Sequence, residues 1–317
     1  MNRTTLGILC AMGASVAFTL NDVGIKFLAG DYALHQIVFF RTLSALTITM
    51  AIIIPLEGGF HLLKTKHPML HIARGLAVVA SNMVFFMGLA ALPLAEATAI
   101  FFVSPLVITL FSVIFLKEKV GPYRWLAVVI GLVGAIVIMR PGTAAFQIAA
   151  IFPVLAAFGY ATLHMLTRKL GATEKASTLA FYVQLIFLVV SGSIGIIAGD
   201  GKFASDIHPS VSFLSRAWVM PDQRDLMIML AVGLCSASGG YLISQAYRLC
   251  AAATIAPFEY LALVLAIVWG IVFFVEWPDF VAWTGIALIL SAGLCVLWRE
   301  NVLKKRIASE RPMPRVR

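Results

Sequence analysis

FLKEKVGPYRWLAVVIGLVGAIVIMR (115–140) and FFVEWPDFVAWTGIALILSAGLCVLWR (273–299) are two versions of one pattern, an acidic turn followed by a long apolar run. At an offset of 158 they pair Phe115 with Phe273, Glu118 with Glu276 and Trp125 with Trp283, and further upstream Ala95 with Ala253. The run from Pro122 to Met139 carries one charge, Arg124, near its start and has the length that crosses about 30 Å of hydrocarbon at about 1.5 Å per helical residue. A pattern that recurs at a fixed offset and fits a bilayer predicts a duplicated, membrane-spanning helical protein.

Outward from these two stretches, the same kind of run predicts spans near residues 5–29, 33–55, 70–91, 94–116 and 122–139, and again near 147–168, 177–199, 225–247, 252–275 and 280–298. The expected fold is all-α with ten transmembrane helices, residues 1–140 forming a first five-span repeat, 141–299 a second, and 300–317 a basic tail. A second register supports the duplication: at an offset of 142, FFRTL (39–43) meets FYVQL (181–185) and Lys26 meets Arg168. Five is odd, so the second repeat would enter the membrane in the opposite sense, which makes the repeats inverted, a common architecture of secondary transporters.

Composition agrees. The 317 residues are 61% hydrophobic and 12% charged, about half the charged share of a soluble domain. The net charge of +9 does not point to nucleic acid, because seven of the 24 Lys and Arg lie after Trp298. That tail reads as a contact with anionic membrane lipid. With the N-terminus inside, 18 basic residues fall on the cytoplasmic side and four outside, so both termini are expected in the cytoplasm of a bacterial-type inner membrane. Cys10, Cys235, Cys250 and Cys295 are scattered without metal-ligand spacing, and no motif implies a cofactor.

An ionised side chain at mid-bilayer costs about 2.5 to 3.5 kcal/mol on insertion scales, so polar residues inside the spans are candidates for binding or gating. Asn21, Asp22, Lys26, Arg41 and Glu96 are placed in the outer half of the membrane; His164, Gln184, Gln245, Glu259 and the adjacent Tyr260 in the inner half; and Asn82 between them. Asp22 and Lys26, four apart, are one helical face and could neutralise each other. Arg41 is either a fixed partner of Asp22 or a fork for a carboxylate or phosphate on the substrate. Glu259, after Pro257, sits where proline loosens the backbone and could carry a proton or meet a cation. Glu118 and Glu276 are read as bracing their turns, and Ser191, Gly195 and Gly199 as a close-packing series, with a homodimer face as the lesser alternative.

The stretches LNDVGIKFLAGDYALHQIVFFR, ALPLAEATAIFFVSPL with the following FLKEKVGPYRW, and APFEYLALVLAIVWGIVFFVEWPD resemble the EamA-type transporters of the drug/metabolite transporter superfamily. That resemblance implies a ten-helix, two-repeat carrier of a small organic metabolite with both termini inside, working by alternating access. The Asn21, Asp22, Lys26 and Arg41 pattern is most similar to S-adenosylmethionine uptake proteins, with riboflavin carriers related; amino acids and nucleoside-like solutes complete the candidates, and proton coupling is an option. No GxxxxGK[ST] phosphate loop or HExxH motif occurs. SASG (236–239) falls one glycine short of an intramembrane serine-protease pattern, so the alternative is a membrane enzyme acting on a lipid or isoprenoid.

Overall fold

The computed structural model describes residues 3–302 except 66, 118–120, 144–146, 171–175, 206, 251–254 and 256–257; at 116, 124, 164–165, 167–170, 176, 247–248 and 296–302 it describes the backbone alone. The expected basic tail therefore lies outside the described residues, as does the reading of Glu118. Every regular element among the described residues is helical. In chain order these are α1 (Arg3–Leu28), α2 (Leu34–Ile48), α3 (Ile54–Glu57), α4 (Pro68–Leu89), α5 (Leu94–Phe101), α6 (Ser104–Leu116), α7 (Pro122–Met139), α8 (Ile151–Leu170), α9 (Ala176–Ala198), α10 (Pro209–Ser215), α11 (Gln223–Leu249), α12 (Leu261–Phe274) and α13 (Phe280–Val302).

Local chemistry sets the boundaries. Pro68 and Pro122 occupy the first helical position of α4 and α7, where the missing N–H costs nothing. Asp222 caps α11, its carboxylate accepting from Asp225 N at 2.7 Å. Between α2 and α3 the helix widens into a π turn, Thr49–Ile53, just before Pro55. Proline has no N–H to give the preceding turn and its ring crowds that turn's carbonyl, so a widened turn keeps the helix continuous.

Among the described residues, six helices are long and apolar enough to cross a membrane, with α2 and α3 counted as one run and α5 and α6 as another. Four shorter apolar helices accompany them: Trp125–Met139, Ile148–Leu163, Leu261–Phe274 and Phe280–Cys295. On α7 the side chains of Val129, Leu132, Val133 and Ile136 are all exposed. Such a stripe is unfavourable in water and ordinary against lipid. The chain is an α-helical multi-pass membrane protein.

The backbone repeats its punctuation at the larger offset. Shifted by 158 residues, the ends of α6 and α12 coincide (116 and 274), as do the starts of α7 and α13 (122 and 280). Lys117 and Val275, also 158 apart, both adopt the left-handed conformation, with φ of 53° and 57°. In the packing, α1 lies against α11 and α8 against α4, while α2 meets α9 and α7 meets α13.

The α7–α13 contact is held close by glycine. A Cβ on Gly134 would stand 2.8 Å from the Gly285 carbonyl oxygen, and one on Gly285 2.7 Å from that of Gly134. Backbone cannot step aside as a side chain can, so Gly134→Val is expected to cost about 1 to 3 kcal/mol through overpacking. The check is a fall of several degrees in the melting temperature of purified protein in detergent; Gly240→Ala, which has nothing within 4 Å, should not lower it. An unchanged melting point for Gly134→Val would show that the helices are not locked there. In α9, the Gly195 and Gly199 positions face the Trp218 ring, and Ser191 bonds its own helix at Phe187 O. The small-residue series is therefore filled from within this chain.

The described core is deepest at one end of the bundle. Where the end of α1, the start of α2, the end of α4 and the start of α5 meet, Ile25, Leu28, Leu34, Ile37, Phe86, Leu89, Leu94 and Ile100 are all fully buried. At the other end of α1 the described core is a small satellite of Ala11, Ala246 and Ile255.

Candidate functional site

Arg41 is 2% exposed, in the middle of the bundle. It is held on α2 by two apolar faces and one polar contact: its guanidinium lies 5.5 Å from the Phe86 ring centroid and 4.9 Å from that of Phe187, and its Nη1 donates to Asn21 Oδ1 at 3.2 Å. Asn21 in turn donates from Nδ2 to Asp22 Oδ1 at 3.0 Å. Buried Arg41 Nε meets no acceptor. The arrangement is a cation with aromatic walls and a carboxylate linked to it through one amide. An arginine is the side chain suited to this, since a guanidinium is weakly hydrated, stacks on rings and keeps its charge when buried.

Gln184 sits one turn before Phe187 on α9 and donates to Ser236 Oγ at 3.1 Å, while its buried Oε1 has no partner. Asn82, on α4, turns its amide back to Val78 O at 3.2 Å. Gln245 bonds Glu57 Oε1 at 2.6 Å and Tyr241 Oη at 2.8 Å, and Glu57 Oε2 also accepts from Ser177 N. Glu57, at the end of α3, was not singled out from the sequence, because it reads as a loop charge after an apolar run. His164 lies on α8, its side chain outside the described residues.

Glu259 is half-buried in the turn before α12, within electrostatic range of the Tyr160 and Tyr260 hydroxyls. Tyr260 stacks on Phe102, 5.0 Å between centroids, and Tyr160 meets Phe101 edge-on at 5.4 Å. Arg74, on α4, acts on Tyr160 and donates to Leu179 O at 3.3 Å. Sequence reasoning counted Arg74 with the flanking charges and passed over Tyr160; a basic residue inside a predicted span was the available signal.

The proposed Asp22–Lys26 pair does not form. Lys26 instead reaches across to the turn after α12, pairing with Glu276 Oε1 at 2.6 Å and donating to Leu92 O at 2.6 Å, with Phe274 beneath its ammonium. Glu276 Oε2 accepts from Leu94 N at 2.8 Å, so it caps α5 from a distance. It does brace a turn, and that turn belongs to another part of the chain. The physical reason is competition: Glu276 and a free carbonyl satisfy two of the three ammonium donors, whereas Asp22 is already committed to Asn21. Three residues on, Asp279 pairs with Arg140 at the end of α7. The hydrogen bond from Arg140 holds the Asp279 carboxyl below its ordinary range and pushes the guanidinium up. The pair's contribution is present above the ordinary carboxylate pKa of about 4 and is lost as pH falls through the lowered one, so it persists at neutral pH. The turn 275–279 is thus latched twice to the first 140 residues.

Glu96, one turn into α5, faces a cavity of about 280 Å³ beside this latch, lined also by Gln147, Trp277, Asp279 and Arg140.

Such a bundle, with buried charges at its centre and ion pairs across one end, is that of a polytopic membrane protein. Residues 5–140 match the family described as the EamA-like transporter family. It is 29% identical over 94% of its length to a riboflavin transporter of Rhizobium johnstonii, 93% of which is covered. An S-adenosylmethionine uptake transporter of Rickettsia felis is 26% identical, with 92% of each chain covered. The pseudopaline exporter CntI of Pseudomonas aeruginosa is 27% identical over 92% of this chain and 95% of its own. A solved structure described only as a crystal structure of a protein shares the fold with a TM-score of 0.63 at 18% identity, covering 94% of this chain and 99% of that one.

Proposed function

We propose that the protein is a secondary transporter that carries a small organic metabolite across a bacterial inner membrane by alternating access. In this reading residues 1–140 and 141–299 are inverted five-span repeats, ten spans in all, with both termini cytoplasmic. The observation that carries it is the closure of one end, where an apolar layer and the Lys26–Glu276 and Arg140–Asp279 pairs meet. By the distribution of basic residues, that end is the outer one. The matched helix boundaries at an offset of 158 residues support the duplication, and an odd number of spans per copy supports its inversion.

Asn21, Asp22, Arg41 and Gln184 would form the central site, with Asn82, Glu259 and Tyr260 lining the path on the inner side. S-adenosylmethionine and riboflavin, which the relatives' names specify, lead the substrates to test, with amino acids and nucleosides beside them. Purified protein in sealed liposomes should give saturable counterflow of one of these without converting it. Conversion of the solute would favour a membrane enzyme, and unsaturable flux a channel. The two carboxylates, Asp22 and Glu259, one in each half, make proton coupling the expected drive. An imposed pH gradient should then accelerate wild-type uptake at least tenfold and leave Glu259→Gln unresponsive; a wild type indifferent to the gradient would make the carrier a uniporter or exchanger.

A further inference from the structure

We infer that the cavity at Glu96 is a second binding site, outside the closed apolar layer, for a small organic cation of the ammonium or sulfonium type. This deepens the transporter reading and rests on it for its role as an entry or exit station.

Three observations converge. The cavity is walled by parts distant in sequence: Glu96 on α5, Arg140 after α7, Gln147 before α8, and Trp277 and Asp279 on the latched turn. Its charges do not balance. Arg140 is taken by Asp279, and Lys26 nearby is taken by Glu276. Among the described residues Glu96 accepts no hydrogen bond and forms no ion pair, so one uncompensated carboxylate faces the space. The third is the indole of Trp277, exposed and lining the same cavity. A carboxylate beside an aromatic face is the pairing that holds a cation without requiring it to donate a hydrogen bond. The volume, about 280 Å³, lies at the lower edge of ordinary ligand sites, which suits a cationic head group rather than a whole metabolite.

The experiment titrates tetramethylammonium chloride into full-length protein in nanodiscs of neutral lipid, reading tryptophan fluorescence and melting temperature. Trp277→Phe assigns the fluorescence signal. The expected result is a saturable fluorescence change and a rise in melting temperature in wild type, at least tenfold weaker affinity in Glu96→Gln, and no loss in Asp31→Asn, which removes an equal charge from an exposed loop. Sodium chloride at equal ionic strength and the neutral isostere 3,3-dimethylbutanol should give neither signal. The inference is overturned if wild type shows no change in either readout, if Glu96→Gln binds as well, or if salt or the neutral compound reproduces the effect. Counterflow in liposomes, measured on the same variants, separates the two readings. Intact transport without cavity binding sinks only this site, and cavity binding without any transport sinks only the carrier.

Discussion

Glu276→Ala is expected to open the outer end. Lys26 and Glu276 are 11% and 24% exposed, so the pair lies largely out of water, and removing one partner from such a pair costs about 3 to 5 kcal/mol because the other charge stays behind unpaired. Leu94 N loses its acceptor as well, which frees the first turn of α5. About 3 kcal/mol corresponds to roughly a hundredfold change in a two-state equilibrium. A cysteine introduced as Asn82→Cys, in a background lacking the four native cysteines, should therefore react with an external impermeant thiol reagent at least tenfold faster in Glu276→Ala than in its parent. The charge exchange Lys26→Glu with Glu276→Lys should bring the rate back towards the parent, since the pair is restored with its sign reversed. Unchanged labelling in Glu276→Ala would mean that the apolar layer alone closes this end, or that this end does not open.

The second large effect concerns Arg41. Alanine there would strand Asn21 Oδ1 and leave Asp22 with no cation nearby, in a region where an unpaired charge is expensive. Arg41→Ala alone should lower the melting temperature markedly and reduce solute uptake by about a hundredfold or more. Asp22→Asn keeps the shape and removes the charge. If the two act as one unit, the double variant should be more stable than the separate losses predict, with a coupling of about 1 to 3 kcal/mol in a double-mutant cycle. Additive losses would instead show that Arg41 is retained for its stacking on Phe86 and Phe187. Arg41→Lys discriminates further: it preserves the charge but neither the planar fork nor the ring contact, so stability should recover more than uptake does.

Much of the architecture was legible because a bilayer imposes simple rules. Apolar runs of one length marked α1, α4, α7, α9 and α11 within a few residues. Side-chain partnership was not legible. Spacing alone put Lys26 with Asp22, yet a lysine reaches several ångströms in any direction, and what it meets depends on which distant turn the fold brings up. Only the packing of α12 against α1 and α5 delivers Glu276. Conversely, Asn21, Asp22 and Arg41 are linked by hydrogen bonds, since three polar groups inside apolar helices have few other places to find partners. Arg74 and Glu57 escaped notice because each stands near the expected end of a span, where a polar residue calls for no explanation, and Tyr160 because an aromatic inside a span reads as packing.

Of the three non-glycine residues with left-handed backbone, Lys117 and Val275 stand at matching places, while the third, Arg140, ends α7 without a counterpart. Neither Lys117 nor Val275 is glycine, and a side chain in that conformation costs about 1 to 2 kcal/mol. One such residue stands at the end of α6 and the other at the end of α12, so each half carries a comparable strain at the same place. Were the halves to exchange roles, the cost incurred in one would be matched by that relieved in the other. That pair of turns would contribute little bias of its own. The sign of net movement would then belong to the concentrations on either side of the membrane, and the same molecule would run in reverse when those are reversed.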